Sequence, residues 1–340
     1  MVSDDLNNKT ILVSRTDAIG DVILTFPLLG LIKNKFPKAK ILFLGREYTR
    51  DIIECCEHID EFINYSSMQN LSIKDLAENL SRLEVDVLLH VFPNSKIAKA
   101  GKLAGIPYRV GSARRVYHFF SCNYRVNLSR RQSPFHEAEL NILMFKDFLN
   151  LDYKAGDVSK LVPLFGFVGP KNKVESLPGS DKRVILHPGS RGSARNWPIS
   201  RFVGLAEILS SKGYQPVLTG TESEARQFRE AFSHVKDLVD LTGTLSLHQL
   251  IGFISTAQVL VAASTGPLHI AAISGIHAIG IYPPMRPIHP ARWAPIGSHA
   301  KVFVDKKNDC TSCRNKNSCP CVEAITEFEV FDYIQQIQKN

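Results

Sequence analysis

The stretch Lys9–Gly45, KTILVSRTDAIGDVILTFPLLGLIKNKFPKAKILFLG, holds one complete strand–helix–strand unit. Lys9–Arg15 is an apolar run of strand length. Thr16–Asp21 is a loop, an amphipathic helix is expected over Val22–Phe36, and Lys40–Gly45 reads as a second strand. Strands this apolar are buried on both faces, as in a parallel sheet covered by helices. The alternation continues with strands at Glu61–Tyr65, Val85–Phe92 and Tyr108–Gly111. Helices are expected at Tyr48–Cys56, at Ile73–Leu83, after Phe92, and over Pro134–Leu149.

A Pro- and Gly-rich stretch then interrupts the pattern, and the alternation starts again. Strands are predicted at Arg183–His187, Gln215–Thr219, Val239–Leu241, Gln258–Ala263 and Ala278–Tyr282. Helices fall at Ile199–Lys212, Glu222–Phe232, Leu247–Thr256 and Pro267–Ser274. The fold class is α/β, with two Rossmann-like domains facing each other across a cleft. The expected division is a first domain over 1–165, a linker over 166–182 and a second domain over 183–322. A last helix over 323–340 could return to the first domain. A chain of 340 residues, 44% hydrophobic, can fill two such cores.

No apolar run reaches the roughly 18 residues of a membrane span. The first ten residues lack the basic and apolar regions of a signal peptide. A cytoplasmic protein is expected, and seven scattered cysteines suit a reducing compartment.

The net charge of +8 is concentrated in one place. Val87–His136 contains no Asp or Glu but nine cations: Lys96, Lys99, Lys102, Arg109, Arg114, Arg115, Arg125, Arg130 and Arg131. Of the 41 basic residues, taking away these nine leaves 32, against 33 acidic ones. Such a field draws anions: an acidic substrate, a lipid surface or a nucleic acid. The bland alternative is a solvated basic face. The span has aromatics, but no RNA-binding signature.

In open α/β sheets, ligands bind beyond the carboxyl ends of the strands. Four loops there carry unusual residues. In Thr16–Asp21, Gly20 permits a tight turn and Asp21 stands at a helix start, either facing the ligand or capping the helix. His187–Pro198 (HPGSRGSARNWP) is a small-residue loop, in which Ser190, Arg191 and Arg195 could wrap a diphosphate. After the next strand, Glu222 and Glu224 could take ribose hydroxyls or serve the helix dipole. In Ser264–His269 (STGPLH), the amides of Thr265 and Gly266 open a helix and suit an anion, with His269 as a further donor.

Taken in order, Arg15–Pro37, His187–Leu209, Leu218–Gln227 and Ser264–Gly275 resemble glycosyltransferase family 9, the ADP-heptose:lipopolysaccharide heptosyltransferases. The resemblance implies the glycosyltransferase B fold and metal-independent transfer with inversion. It puts the general base on Asp21, with Gly20 beside the acceptor. Ser190, Arg195, Glu224, Ser264, Thr265, Gly266 and His269 fall on the donor side. Two departures stand out: Ser264 replaces the family's usual Asp, and Arg195 its usual Lys. The resemblance also implies a nucleotide sugar, ADP-heptose, as donor and an anionic lipid-linked oligosaccharide as acceptor. The protein would work at the cytoplasmic face of the inner membrane, with Arg114, Arg115, Arg130 and Arg131 capturing the acceptor. No cofactor is required, and no nucleic acid is expected.

Cys310, Cys313, Cys319 and Cys321 form C-x2-C-x5-C-x-C. Four thiolates could hold zinc, although structural zinc sites usually have a longer central gap. Reduced thiols or a disulfide are the alternatives. Cys55, Cys56 and Cys122 read as packing residues. Two other functions fit the same features: a nucleotide-sugar epimerase on this fold, and a non-catalytic nucleic-acid-binding protein using the basic span.

Overall fold

The computed structural model describes residues 5–131, 133–170, 182–190, 192, 194–286, 288–305 and 319–337. The chain forms two compact units, Met1–Val168 and Gly169–Asn340.

In the first unit the strands are β1 (Thr10–Ser14), β2 (Lys40–Gly45), β3 (Glu61–Asn64), β4 (Val87–His90), β5 (Tyr108–Ser112) and β6 (Tyr124–Val126). Its helices are α1 (Ile19–Ile23), α2 (Phe26–Lys35), α3 (Arg50–Ile53), α4 (Ile73–Ser81), α5 (Ser95–Leu103), α6 (Val116–Ser121), α7 (Glu137–Leu143) and α8 (Lys146–Leu149). The sheet is parallel, in the order β3-β2-β1-β4-β5-β6. Ile11, Leu12 and Val13 of β1 are fully buried, as a central strand with helices on both faces requires.

The second unit repeats the plan. Its strands are β7 (Arg183–His187), β8 (Gln215–Leu218), β9 (Val239–Asp240), β10 (Val259–Ala263), β11 (His277–Tyr282) and β12 (Ala300–Val304). Its helices are α9 (Ile199–Ser211), α10 (Glu222–Phe232), α11 (Leu247–Ser255), α12 (Gly266–Ile273), α13 (Pro290–Trp293), α14 (Pro320–Glu323) and α15 (Glu327–Ile337). The order β12-β11-β10-β7-β8-β9 is the same winding read from the other edge. Each sheet therefore reverses direction once, between β1 and β4 and between β7 and β10. Crevices at such reversals are where doubly wound sheets bind ligands.

Three expectations are corrected. The helix predicted over Val22–Phe36 is two helices. Pro27, at the second position of α2, has no N–H to continue a ladder, and Thr25 N bonds Val22 O at 3.0 Å to close the first helix. The proposed linker begins too early. Phe167 bridges Cys56, Val168 N bonds Cys55 O at 2.9 Å, and the first unit runs to Val168.

The third correction concerns the last helix. Val330, Phe331 and Ile334 of α15 lie buried in the core of the second unit. Phe331 meets Tyr214 edge-on at 5.9 Å, and Arg201 of α9 pairs with Glu327 at 2.6 Å. The apolar face of this helix is therefore used within its own unit. Among the described residues, no helix is long and apolar enough to cross a membrane.

Candidate active site

Arg15 follows β1 directly, and its amide extends the ladder to Leu44 O at 3.1 Å. Its side chain is 3% exposed, too deep for an unpaired charge. Nε donates to Asp17 Oδ1 at 2.7 Å, Nη1 donates to Asn141 Oδ1 at 3.3 Å, and Nη2 donates to the Asp21 carboxylate. Glu137 Oε1 lies 3.8 Å from Nη1. Burial works against this guanidinium, but the three carboxylates outweigh it and hold its pKa above the ordinary value.

The same surroundings act on the acids. Burial pushes the Asp17 carboxyl up to about 6, against the pull of Arg15. It also raises Asp21; Arg15 and Arg130 oppose that rise and Glu137 adds to it. A carboxylate held above its usual range is a better proton acceptor near neutral pH.

Helix α7 supplies the far side of this network. Asn141 Oδ1 accepts from both Arg15 and Arg130, and its Nδ2 donates to Leu24 O at 2.9 Å. Glu137, buried, forms an ion pair with Arg130. The start of α7 is fixed by a capping box, in which Glu139 Oε2 accepts from His136 N at 2.9 Å and His136 Nδ1 accepts from Ala138 N at 3.2 Å. Arg15, Asp17, Glu137 and Asn141 were not among the expected site residues. The available signal was Glu137, the first acid after the acid-free span.

Asp21 does not cap its helix. Helix α1 begins at Ile19 with Ala18 as its N-cap, so Asp21 is a first-turn acid whose carboxylate reaches Arg15. Gly20 lies inside α1 and is not among the positive-φ glycines, so the expected tight turn at this residue is corrected. Its place next to Asp21 is unchanged.

In the second unit, His187 ends β7 and Ser190 follows it. His187 Nδ1 is 3.0 Å from Thr219 Oγ1, joining the ends of β7 and β8. Ser190 Oγ donates to Ala194 O at 3.3 Å, closing the loop that carries half-buried Arg195. Arg191 lies outside the described residues. The loop is anchored by buried Trp197, whose Nε1 donates to Ile325 O at 2.9 Å.

Glu224 opens α10 in a capping box. Its Oε2 accepts from Thr221 N at 3.0 Å and Thr221 Oγ1 at 2.6 Å. Its Oε1 faces the backbone of Gly189, where any Cβ would collide with it. The residue thus caps its helix and also directs a carboxylate oxygen at the loop after β7.

Helix α12 starts at Gly266 with Thr265 as N-cap and Pro267 in its first turn. Thr265 makes no side-chain cap, and its buried Oγ1 has no hydrogen-bond partner among the described residues. The first amides of such a helix are likewise unpaired within it. His269 is buried one turn on. Ser264, where the family's usual residue is Asp, is half-buried just before α12, and the buried Tyr282 phenol donates to Trp293 O at 2.6 Å. The loops after β7, β8 and β10 thus hold Ser190, Arg195, Glu224, Thr265, Gly266 and His269 around the reversal point of the second sheet.

The sequence model of glycosyltransferase family 9 (heptosyltransferase) matches residues 73–322. The chain belongs to glycosyltransferase family 9. A Haemophilus influenzae protein described only as a candidate glycosyltransferase is 29% identical over 302 residues, covering 85% of this chain and 86% of that one. Escherichia coli lipopolysaccharide heptosyltransferase 2 is 23% identical over 300 residues, covering 82% and 83%. The solved structure of E. coli ADP-heptose LPS heptosyltransferase II superposes with a TM-score of 0.74 at 19% identity, covering 98% of this chain and 100% of that one. The fold is that of glycosyltransferase B enzymes, and this family 9 chain is a glycosyltransferase. The matched stretch spans both units but begins beyond Asp21, so the geometry around Arg15 stands on its own.

The basic span of this family 9 member divides in the structure. Arg130 is half-buried and belongs to the Asp21 network. Arg109 is turned to backbone carbonyls, donating to Ser121 O at 2.7 Å, and Lys96 bonds Gln69 O at 2.6 Å. Arg125 donates to Cys122 O at 2.9 Å and stacks over Phe119 at 5.0 Å. Arg114, Arg115 and Arg131 are exposed. Of the C-terminal cysteines, Cys310 and Cys313 lie outside the described residues, while Cys319 is buried and Cys321 half-buried, with no disulfide between them.

Proposed function

We propose that this family 9 enzyme transfers heptose from ADP-heptose, with inversion and no metal in the transfer step, to an anionic acceptor of the lipopolysaccharide inner core. The observation that carries the chemistry is Asp21, a partly exposed carboxylate held by a buried arginine and raised above its ordinary pKa. Asp21 takes the proton of the acceptor hydroxyl as that oxygen attacks the anomeric carbon of the donor sugar. The bond to the nucleotide diphosphate breaks on the opposite face, which inverts the centre. The leaving diphosphate gains negative charge, and Arg195, the Thr265 and Gly266 amides and His269 stabilise it more in the transition state than before. Glu224 receives the ribose hydroxyls, and Ser190 lines the diphosphate loop.

The acceptor side rests on α6. Arg114 and Arg115 lead into this helix, on which Val116 is 77% exposed and Phe120 73%, with Phe119 exposed beside them. Adjoining cationic and apolar groups are what an anionic membrane surface engages, the apolar side chains entering the headgroup boundary. The enzyme then works on a lipid-linked acceptor at the cytoplasmic face of the inner membrane, with Arg131 adding to the field.

The test is a mass-spectrometric transfer assay with purified enzyme, an inner-core acceptor and ADP-heptose, run beside UDP-, GDP- and dTDP-linked sugars. A product one heptose heavier, formed from ADP-heptose alone, is expected. Product from another nucleotide sugar and none from ADP-heptose would overturn the donor assignment. Release of free sugar without acceptor would overturn transfer itself.

A further inference from the structure

A second cluster of chemical groups lies in the first unit, and the transfer reaction leaves it unused. His90 ends β4, paired in register with Ser14 of β1. His118 lies in α6, and Cys122 follows that helix. One ring nitrogen of each histidine and the Cys122 sulfur all lie within 4.8 Å of one another. The three residues are buried, and the two rings stand 5.1 Å apart, tilted by 33°.

Both ring nitrogens of His90 and Nε2 of His118 have no hydrogen-bond partner among the described residues. Buried polar atoms are nearly always satisfied, and three exceptions in one place require a common explanation. His118 Nδ1 lies 3.1 Å from Ser112 O. When it donates there, the lone pair is on Nε2, and a carbonyl holding one ring nitrogen is how metal-ligating histidines are usually oriented. Gly111 is required for the cluster to close, because a Cβ there would lie 2.6 Å from His118 Nδ1 and 2.8 Å from Cys122 Sγ.

We propose that His90, His118 and Cys122 form a transition-metal site of the zinc class. Two imidazoles and one thiolate are the mixed donor set that such ions take. Bonds of about 2.0–2.3 Å in a tetrahedron set the donors roughly 3.3–3.6 Å apart. The widest pair must therefore close by about 1.5 Å at most, a movement of side chains rather than of strands. On binding, the Cys122 S–H bond breaks, sulfur bonds to the metal and the proton leaves to solvent. The two imidazoles bind as neutral ligands, and one tetrahedral position remains open. The ion ties α6 to the central strand β4 and so holds in place the helix that carries Val116, Phe119 and Phe120.

The test measures bound metal and leaves transfer activity aside. The full chain is prepared with Cys310, Cys313, Cys319 and Cys321 all changed to Ser, so that the C-terminal thiols contribute no metal. Zn(II) is counted by mass spectrometry after desalting, and Co(II) is read by its thiolate charge-transfer absorption. One equivalent of each is expected, with a lower melting temperature after chelation. Cys122→Ser and His90→Gln, made separately in that background, should each abolish the equivalent and the absorption band. If the four-serine chain does not fold by circular dichroism, Cys122→Ser in the natural chain must lower bound metal by one equivalent. No bound metal in the four-serine chain, or content unchanged by both substitutions, overturns the site.

Discussion

Arg15 Nη2 donates to the Asp21 carboxylate from a buried position at the end of the first strand. The residue proposed to take a proton is therefore held by a charge that cannot swing away. Its neighbour Asp17 shares the same guanidinium. The two acids titrate as a pair, and the pH behaviour of the enzyme belongs to that pair.

The acidic limb of kcat/KM should lie above the ordinary carboxylate range, because burial raises Asp21 and pushes its neighbour Asp17 up to about 6. Activity requires the unprotonated base, so it falls as pH drops through this limb. Stability has the opposite sign. Asp17 binds its proton more tightly folded than unfolded, so its contribution is complete below about pH 3.9 and is lost as pH rises through about 6. Melting temperatures of the natural chain and Asp17→Asn, measured from pH 4 to 7, should converge at the acid end. Curves that stay parallel, with a limb in the ordinary carboxylate range, would remove the raised pair from the account.

Arg130 separates two roles by its effect. Its charge lowers the Asp21 pKa, so Arg130→Gln should move the acidic limb to higher pH while the acceptor KM changes little. A raised KM with an unmoved limb would return Arg130 to acceptor capture.

Both α/β units can be read from the sequence, because fully buried parallel strands are apolar throughout and short. Gln215–Thr219 and Glu222–Phe232 differ from the observed elements by a residue at most. Strand β6, with Tyr124 and Arg125 exposed, carries no such run and escaped, as did the edge strand β12. Within the site, Asp21 and the loops after β7 and β10 are visible because strand ends are marked locally. The Arg15 network is not, since Asn141 and Glu137 join it from 126 and 122 positions away. The acid-free span looked unbalanced because one of its counter-charges, Glu137, lies one residue past its end and folds back onto Arg130.

Arg195→Ala should weaken binding of ADP far more than of adenosine, because a charge-assisted contact to the diphosphate is lost. Calorimetric titration of both ligands checks this. Equal losses would place Arg195 away from the phosphates.

Changing Arg114 and Arg115 together to Glu should raise the acceptor KM several-fold and flatten its dependence on salt, with donor affinity unchanged. Binding to vesicles containing anionic lipid should fall in parallel. Unchanged acceptor kinetics and vesicle binding would make these arginines solvated surface.

The central claim is that Asp21 removes the acceptor proton. Single-turnover transfer by Asp21→Asn, with donor affinity measured on the same preparation, tests it most directly. The substitution keeps the shape of the side chain and its contact with Arg15, and donor binding should be retained. Turnover should fall by about two to four orders of magnitude. A folded Asp21→Asn enzyme with near-normal turnover would contradict the account and leave Asp21 as a structural partner of Arg15.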